Sequence, residues 1–141
     1  MKEIIKKLIP SPLLRFYYFL LSWLAAFWFS HPSGKMVVIG VTGTNGKSTV
    51  VELLSRILRE AGFKVSSISS VRFELPERRW PNTLKMTMPG RFLLQRFLYD
   101  ALKEGSSHVV LEVTSEGIEQ FRHRFIHFDV AVLTNLTPEH I

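Results

Sequence analysis

The sequence predicts an α/β fold: a parallel sheet flanked by helices, carrying a phosphate-binding loop and preceded by a hydrophobic N-terminal helix. Three observations carry this. Apolar runs of strand length recur at residues 36–41, 64–69, 108–113 and 130–133. Stretches with helical spacing of apolar residues separate several of them, which is the alternation expected of a parallel sheet. A glycine-bearing turn, Gly40-Val-Thr-Gly-Thr-Asn-Gly-Lys-Ser-Thr49, lies between the first run and the first helical stretch.

Composition fits one such domain with an appendage. The chain has 141 residues, 46% hydrophobic and 21% charged, enough to bury a core and too apolar for a disordered chain. There is no cysteine, which excludes a disulfide framework, a thiolate metal site and a cysteine nucleophile and suits a reducing cytoplasm. The net charge is +6, but much of the excess flanks the aromatic segment at residues 1–35, where Lys2, Lys6, Lys7, Arg15 and Lys35 face only Glu3. That distribution suits a membrane surface better than nucleic acid, and no nucleic-acid partner is expected.

In chain order, Phe16–Phe29 (FYYFLLSWLAAFWF) has no charge and is short of the roughly 20 apolar residues a spanning helix needs. It has no small-residue cleavage site of a signal peptide. Two readings stay open for residues 13–29: peripheral membrane association, with Tyr17, Tyr18, Trp23 and Trp28 in the headgroup layer, or packing on protein. Pro32-Ser33-Gly34 forms a linker, so residues 1–35 and 36–141 are two units. Met36–Val41 reads as a buried strand. Val50, Leu53, Leu54, Ile57, Leu58 and Ala61 form one helix face, stopped by Gly62. Lys64–Ser69 reads as a strand, residues 72–86 as a loop, and Pro89 as the first turn of a helix with Thr87 or Met88 before it, ending near Gly105. His108–Val113 is a third strand, Ser115–Phe121 a short helix, and Val130–Leu133 another buried strand. His108, His123 and His127 read as surface residues.

The chemistry concentrates in three places. Glycines let the backbone N–H groups of Gly43, Thr44, Asn45, Gly46, Lys47, Ser48 and Thr49 curl around phosphate oxygens. The helix N-terminus adds positive potential, Lys47 can reach the β and γ phosphates, and Ser48 can ligate magnesium. The strict loop spacing asks for glycine where Val41 stands, so the strand, loop and helix context carries the reading; a structural turn with an exposed lysine is the alternative. Glu112 ends a strand at the sheet edge where the loop lies, and an unpaired buried carboxylate there points to a metal ion. Asn135–His140 should emerge at the same edge.

TGTNGKST, LEVTSEGI and TNLTPEH, in this order, resemble the central ATP-binding domain of the Mur ligases, over about residues 36–141. The resemblance is greatest to the ligases that add the third residue of the peptidoglycan stem. It implies a cytoplasmic, ATP- and Mg2+-dependent carboxylate-amine ligase that adds an amino acid to a UDP-N-acetylmuramoyl-peptide through an acyl phosphate. It implies catalytic roles for Lys47, Glu112 and His140, with Ser48, Glu112 and His140 as metal ligands. Glu139 stands where the family usually has aspartate. Thr87 and Pro89 match a Thr-Thr-Pro element whose second threonine is Met88 here. Ser115, Gln120 and Arg122 match substrate-contacting positions, with Glu116 in place of a histidine. The family's UDP-binding domain, modified lysine and C-terminal domain have no counterpart in the sequence, so a fragment of a longer ligase is expected. A folylpolyglutamate synthetase relative and a non-catalytic, membrane-associated nucleotide-binding module are the alternatives.

Overall fold

A computed structural model describes residues 9–138. The elements are α1 (Ser11–Trp28), a 3₁₀ turn (Pro32–Lys35), β1 (Val37–Thr42), α2 (Lys47–Glu60), β2 (Val65–Ile68), β3 (Arg72–Leu75), β4 (Arg78–Pro81), α3 (Arg91–Lys103), β5 (His108–Glu112), α4 (Ser115–Glu119) and β6 (Val130–Leu133). They build a six-stranded sheet in the order β4-β3-β2-β5-β1-β6. The four strands β2, β5, β1 and β6 run parallel, and β3 and β4 extend the sheet as an antiparallel hairpin.

The sheet separates two apolar layers because successive side chains on a strand point to opposite faces. Val38, Ile68, Phe73, Val109 and Leu111 meet Leu94, Phe97 and Leu98 of α3 on one face. Ile39, Val41, Val65 and Val110 meet Val51, Leu54 and Leu58 of α2 on the other. Helix α1 lies outside α3, with its small residues Ser22, Ala25 and Ala26 buried.

Several expectations need correction. Residues 72–81 form the β3–β4 hairpin and not a loop: Phe73 and Leu75 face the core, and Glu74 between them is buried because Arg59 and Arg72 pair with it at 2.6 and 3.1 Å. Pro89 precedes helix α3, whose N-cap is Gly90, so Pro89 lies outside the helix's first turn and the chain reaches it through a bend at Thr87 and Met88. On α2 the expected stripe is covered only in part: Val50, Leu54 and Leu58 pack inward beside Val51, which lies outside that stripe, while Leu53, Ile57 and Ala61 are exposed. Strand β6 pairs along one side only and leaves Val130 and Leu133 exposed, so it is an open edge and not a buried strand. His123 is half-buried, with an Nδ1 that has no partner. Burial, and then the charge of Arg124, hold its pKa below the ordinary histidine value.

Candidate functional site

Strands β1, β5 and β6 end at one edge of the sheet, in register Val41↔Glu112 and Thr42↔Leu133. The loop leaving β1 turns there through two glycines with left-handed backbone. Gly43 has φ +138°, and a Cβ on it would run into Thr134 Oγ1. Gly46, at φ +81°, is the N-cap of α2, so the first N–H groups of that helix stay available to an anion. Lys47 folds back over this loop, its Nζ donating to the carbonyls of Gly43 (2.9 Å) and Thr44 (3.3 Å). It pairs with no carboxylate among the described residues.

One residue along, Ser48 Oγ donates to Glu112 Oε2 at 2.7 Å. The backbone N–H of Ser70, just past β2, donates to the same oxygen at 2.9 Å, and the Ser48 and Ser70 hydroxyls are bonded to each other. Glu112 is 4% exposed yet has no basic partner among the described residues, and its Oε1 receives no hydrogen bond from them. Hydroxyl and carboxylate oxygens around an uncompensated buried charge suit a hard divalent cation. Among the described residues no group of three His, Cys, Asp or Glu side chains gathers to hold a metal. His140 and Glu139 lie outside the described residues.

The segment after β6 is fastened to the loop. Asn135 Oδ1 accepts from the Asn45 N–H (2.9 Å), its Nδ2 donates to Asn45 O (3.1 Å), and its carbonyl accepts from the Thr44 N–H (3.1 Å). Thr134 Oγ1 adds a bond to Asn45 O (2.7 Å), and Thr137 N–H one to Thr44 Oγ1 (3.0 Å). Thr49 is exposed on the first turn of α2 beside a cleft of about 280 Å3 shared with Glu52, Arg56 and Arg72. The Arg72 guanidinium, aided by Arg56, holds the Glu52 carboxyl below its ordinary pKa against the opposing effect of burial.

The remaining sequence-predicted residues form a second group. Arg122, 7% exposed, donates to Met88 O (2.6 Å) and to Gln120 Oε1 (2.7 Å), so it joins the Thr87–Pro89 segment to the end of α4. Thr87 is half-buried, and Ser115 is exposed at the start of α4, which Thr114 caps by accepting from Gly117 N–H at 3.0 Å. Gln120 Nε2 donates to Glu116 Oε1 at 2.9 Å. Arg91 completes this group: its Nε donates to Ser22 Oγ (3.1 Å), and its Nη2 donates to Gln120 O. Burial, and then the nearby Arg122 charge, hold its pKa below the ordinary guanidinium value.

Sequence reasoning missed Ser70, Asn135 as a loop partner, and Arg91. The first two stand just past the carboxyl ends of β2 and β6, so position places them at the same edge as Glu112, while their partners there depend on strand pairing that no local pattern encodes. Arg91 carries no such signal, because a basic residue at a helix start reads as solvent-facing. A cleft of about 490 Å3 between Arg59, Lys64, Glu74 and Arg78 lies toward the opposite edge of the sheet and holds none of these residues.

Residues 41–141 match the Mur ligase middle domain. A UDP-N-acetylmuramoyl-L-alanyl-D-glutamate–2,6-diaminopimelate ligase of Geobacillus thermodenitrificans is 36% identical over 118 residues, 84% of this chain and 24% of the relative. The corresponding ligase of Corynebacterium efficiens is 40% identical over 113 residues, 80% of this chain and 21% of the relative. A UDP-N-acetylmuramyl-tripeptide synthetase of Roseiflexus is 37% identical over 120 residues, 84% of this chain and 24% of the relative. A solved UDP-N-acetylmuramoyl-L-alanyl-D-glutamate–2,6-diaminopimelate ligase superposes with a TM-score of 0.64 at 29% identity, covering 75% of this chain and 21% of that one. The chain thus spans about a quarter of the length of the curated relatives it matches. A sheet whose parallel strands bring the glycine loop, Ser48 and Glu112 to one edge, together with a match over residues 41–141, establishes that the chain belongs to the Mur ligase family, of which it carries the middle domain.

Proposed function

We propose that the chain provides the ATP-binding part of a ligase that joins an amino acid to a UDP-N-acetylmuramoyl-peptide in peptidoglycan precursor synthesis. The observation that carries this reading is the Lys47 ammonium over the glycine loop, without a carboxylate partner among the described residues and one residue from a serine bonded to a buried glutamate that has no basic partner among them. In this reading the loop of residues 43–49 cradles the phosphates through the N–H groups that Asn135 does not hold, those of Thr44 and Asn45 being bonded to it. Lys47 gives up its two loop carbonyls for the β and γ oxygens. Ser48, Glu112 and His140 would hold Mg2+, which when bound neutralises phosphate charge. A carboxylate oxygen of the muramoyl-peptide bonds to the γ phosphorus as ADP leaves, and the incoming amine then displaces phosphate from the acyl carbon. Thr87, Ser115 and Gln120 face the muramoyl-peptide, and Arg122 holds Thr87 and Gln120 in their relative places through Met88. The names of the relatives support the third-residue step. The setting we propose is the cytoplasm, with residues 13–29 keeping the molecule at the inner face of the membrane without spanning it. No helix among the described residues is long and apolar enough to cross a bilayer.

The test is ATP affinity by isothermal titration with Mg2+ present. Lys47→Ala is expected to weaken binding at least about tenfold, the loss of one charge-assisted contact, with an unchanged circular dichroism spectrum. Equal affinity in both proteins overturns the reading.

A further inference from the structure

A surface helix ordinarily turns its apolar stripe inward and its charges outward. Helix α1 does the reverse. Its inner side is made of Ser22, Ala25 and Ala26, and Ser22 Oγ donates to Phe121 O at 2.8 Å. Its outer side carries Leu13, Phe16, Tyr17, Leu20, Trp23, Leu24, Phe27 and Trp28, all exposed, Phe27 to 62% and Trp28 to 74%. At 100° per residue these eight fall within one half of the helix circumference, and that half holds no charged side chain. Contiguous apolar exposure of this kind marks a surface made for a partner.

We infer that the outer side of α1 is a seat for an anionic phospholipid surface, on which the helix lies flat. Three observations select lipid. The face has tyrosine and tryptophan among its aliphatic residues, the pairing that fits the boundary between acyl chains and headgroups. No acidic residue occurs between residues 4 and 51, whereas Lys6, Lys7, Arg15 and Lys35 bracket the face in sequence. Arg15 and Arg124 sit at the seam between α1 and the rest of the molecule, over the rings of Phe121 and Phe19, where phosphate headgroups would meet them. The inner side being taken by α3 and Phe121, the helix cannot turn perpendicular to a bilayer without leaving the protein. A bilayer on this side lies across the sheet from α2, so it leaves the first turn of α2 accessible to nucleotide.

This inference rests on the membrane placement proposed above, to which it adds the helix face and the lipid class, and it is tested without nucleotide, so its failure leaves the ATP-binding reading standing. The full chain is floated with vesicles of phosphatidylcholine alone or mixed with phosphatidylglycerol, and tryptophan quenching by brominated lipid is read in the same samples. Flotation with the mixed vesicles, together with quenching, is expected, and phosphatidylcholine alone should capture markedly less. The double variant Trp23→Ser, Phe27→Ser removes two exposed rings that stack on each other at 5.6 Å, so it is expected to retain the fold while partition falls roughly tenfold or more. Absence of flotation, equal flotation by the variant, equal capture by neutral vesicles, or a concentration-dependent dimer in place of flotation each overturns the inference. The unaltered chain's quenching decides the matter even if the variant misfolds.

Discussion

Glu112 is the residue on which the site turns. Its carboxylate is buried at the end of a central strand, and its visible partners are neutral: the Ser48 hydroxyl and the Ser70 N–H. Such an arrangement is stable only when a cation completes it, or at the expense of a buried charge. Glu112→Gln keeps the shape and removes that charge. We expect it to weaken Mn2+ binding in the presence of nucleotide at least about tenfold, followed by electron paramagnetic resonance. Ser70→Ala should weaken it less, because the backbone donor to Oε2 remains. Unchanged manganese affinity in the glutamine variant would remove Glu112 from the metal site. The sequence made Glu112 legible through position alone, a lone acid closing an apolar run. Ser70 was not legible, since its approach to Glu112 depends on β2 lying beside β5, a pairing that no local pattern encodes.

At the scale of the element, the legible parts are those whose hydrophobic period changes sharply. The step from a continuous apolar run in β1 to the stripe of α2 is such a change, and the loop falls at the junction. The β3–β4 hairpin was obscured because its alternation, Arg72-Phe73-Glu74-Leu75, is only four residues long and lies among prolines and charges; its polar position Glu74 can be buried only because Arg59 and Arg72 neutralise that carboxylate. The turn after α4 is similar. It buries His123 between positions where Phe121 and Phe125 adopt positive φ, a backbone path without a sequence signature. This turn gives a pH dependence with a definite sign. The folded state binds the His123 proton less readily than the unfolded chain, so the stabilising effect is present above the ordinary histidine pKa of 6.5 and is lost as pH falls below it. The urea midpoint should therefore drop between pH 7.5 and about pH 5.5. His123→Gln should drop less over the same interval; an equal drop assigns the dependence to other groups.

For the whole molecule, the pattern of covered and open surface is uneven. Leu53 and Ile57 on α2, Val130 and Leu133 on β6, and Leu136 beyond it leave one flank of the sheet apolar and open. Amide synthesis needs an activated carboxylate and an amine held in line, and positioning supplies most of the rate in such chemistry. In the reading proposed above, the residues assigned a role serve the phosphates and, in part, the muramoyl-peptide, and none is assigned to the amine. We expect residues 1–141 alone to bind ATP without releasing ADP when given a UDP-N-acetylmuramoyl-dipeptide and an amino acid. ADP release dependent on both substrates, with product seen by mass spectrometry, would show that they suffice.

The fastening of the loop to Asn135 also has a bearing on synthesis at the ribosome. Asn45 leaves the peptidyl transferase centre 90 residues before the side chain that holds it, and β1 acquires its β6 neighbour over a similar interval. Contacts so distant along the chain form late in folding. A nascent chain halted at α4 would carry the whole glycine motif and yet lack the bonds from Thr134 and Asn135 that hold it in the finished chain.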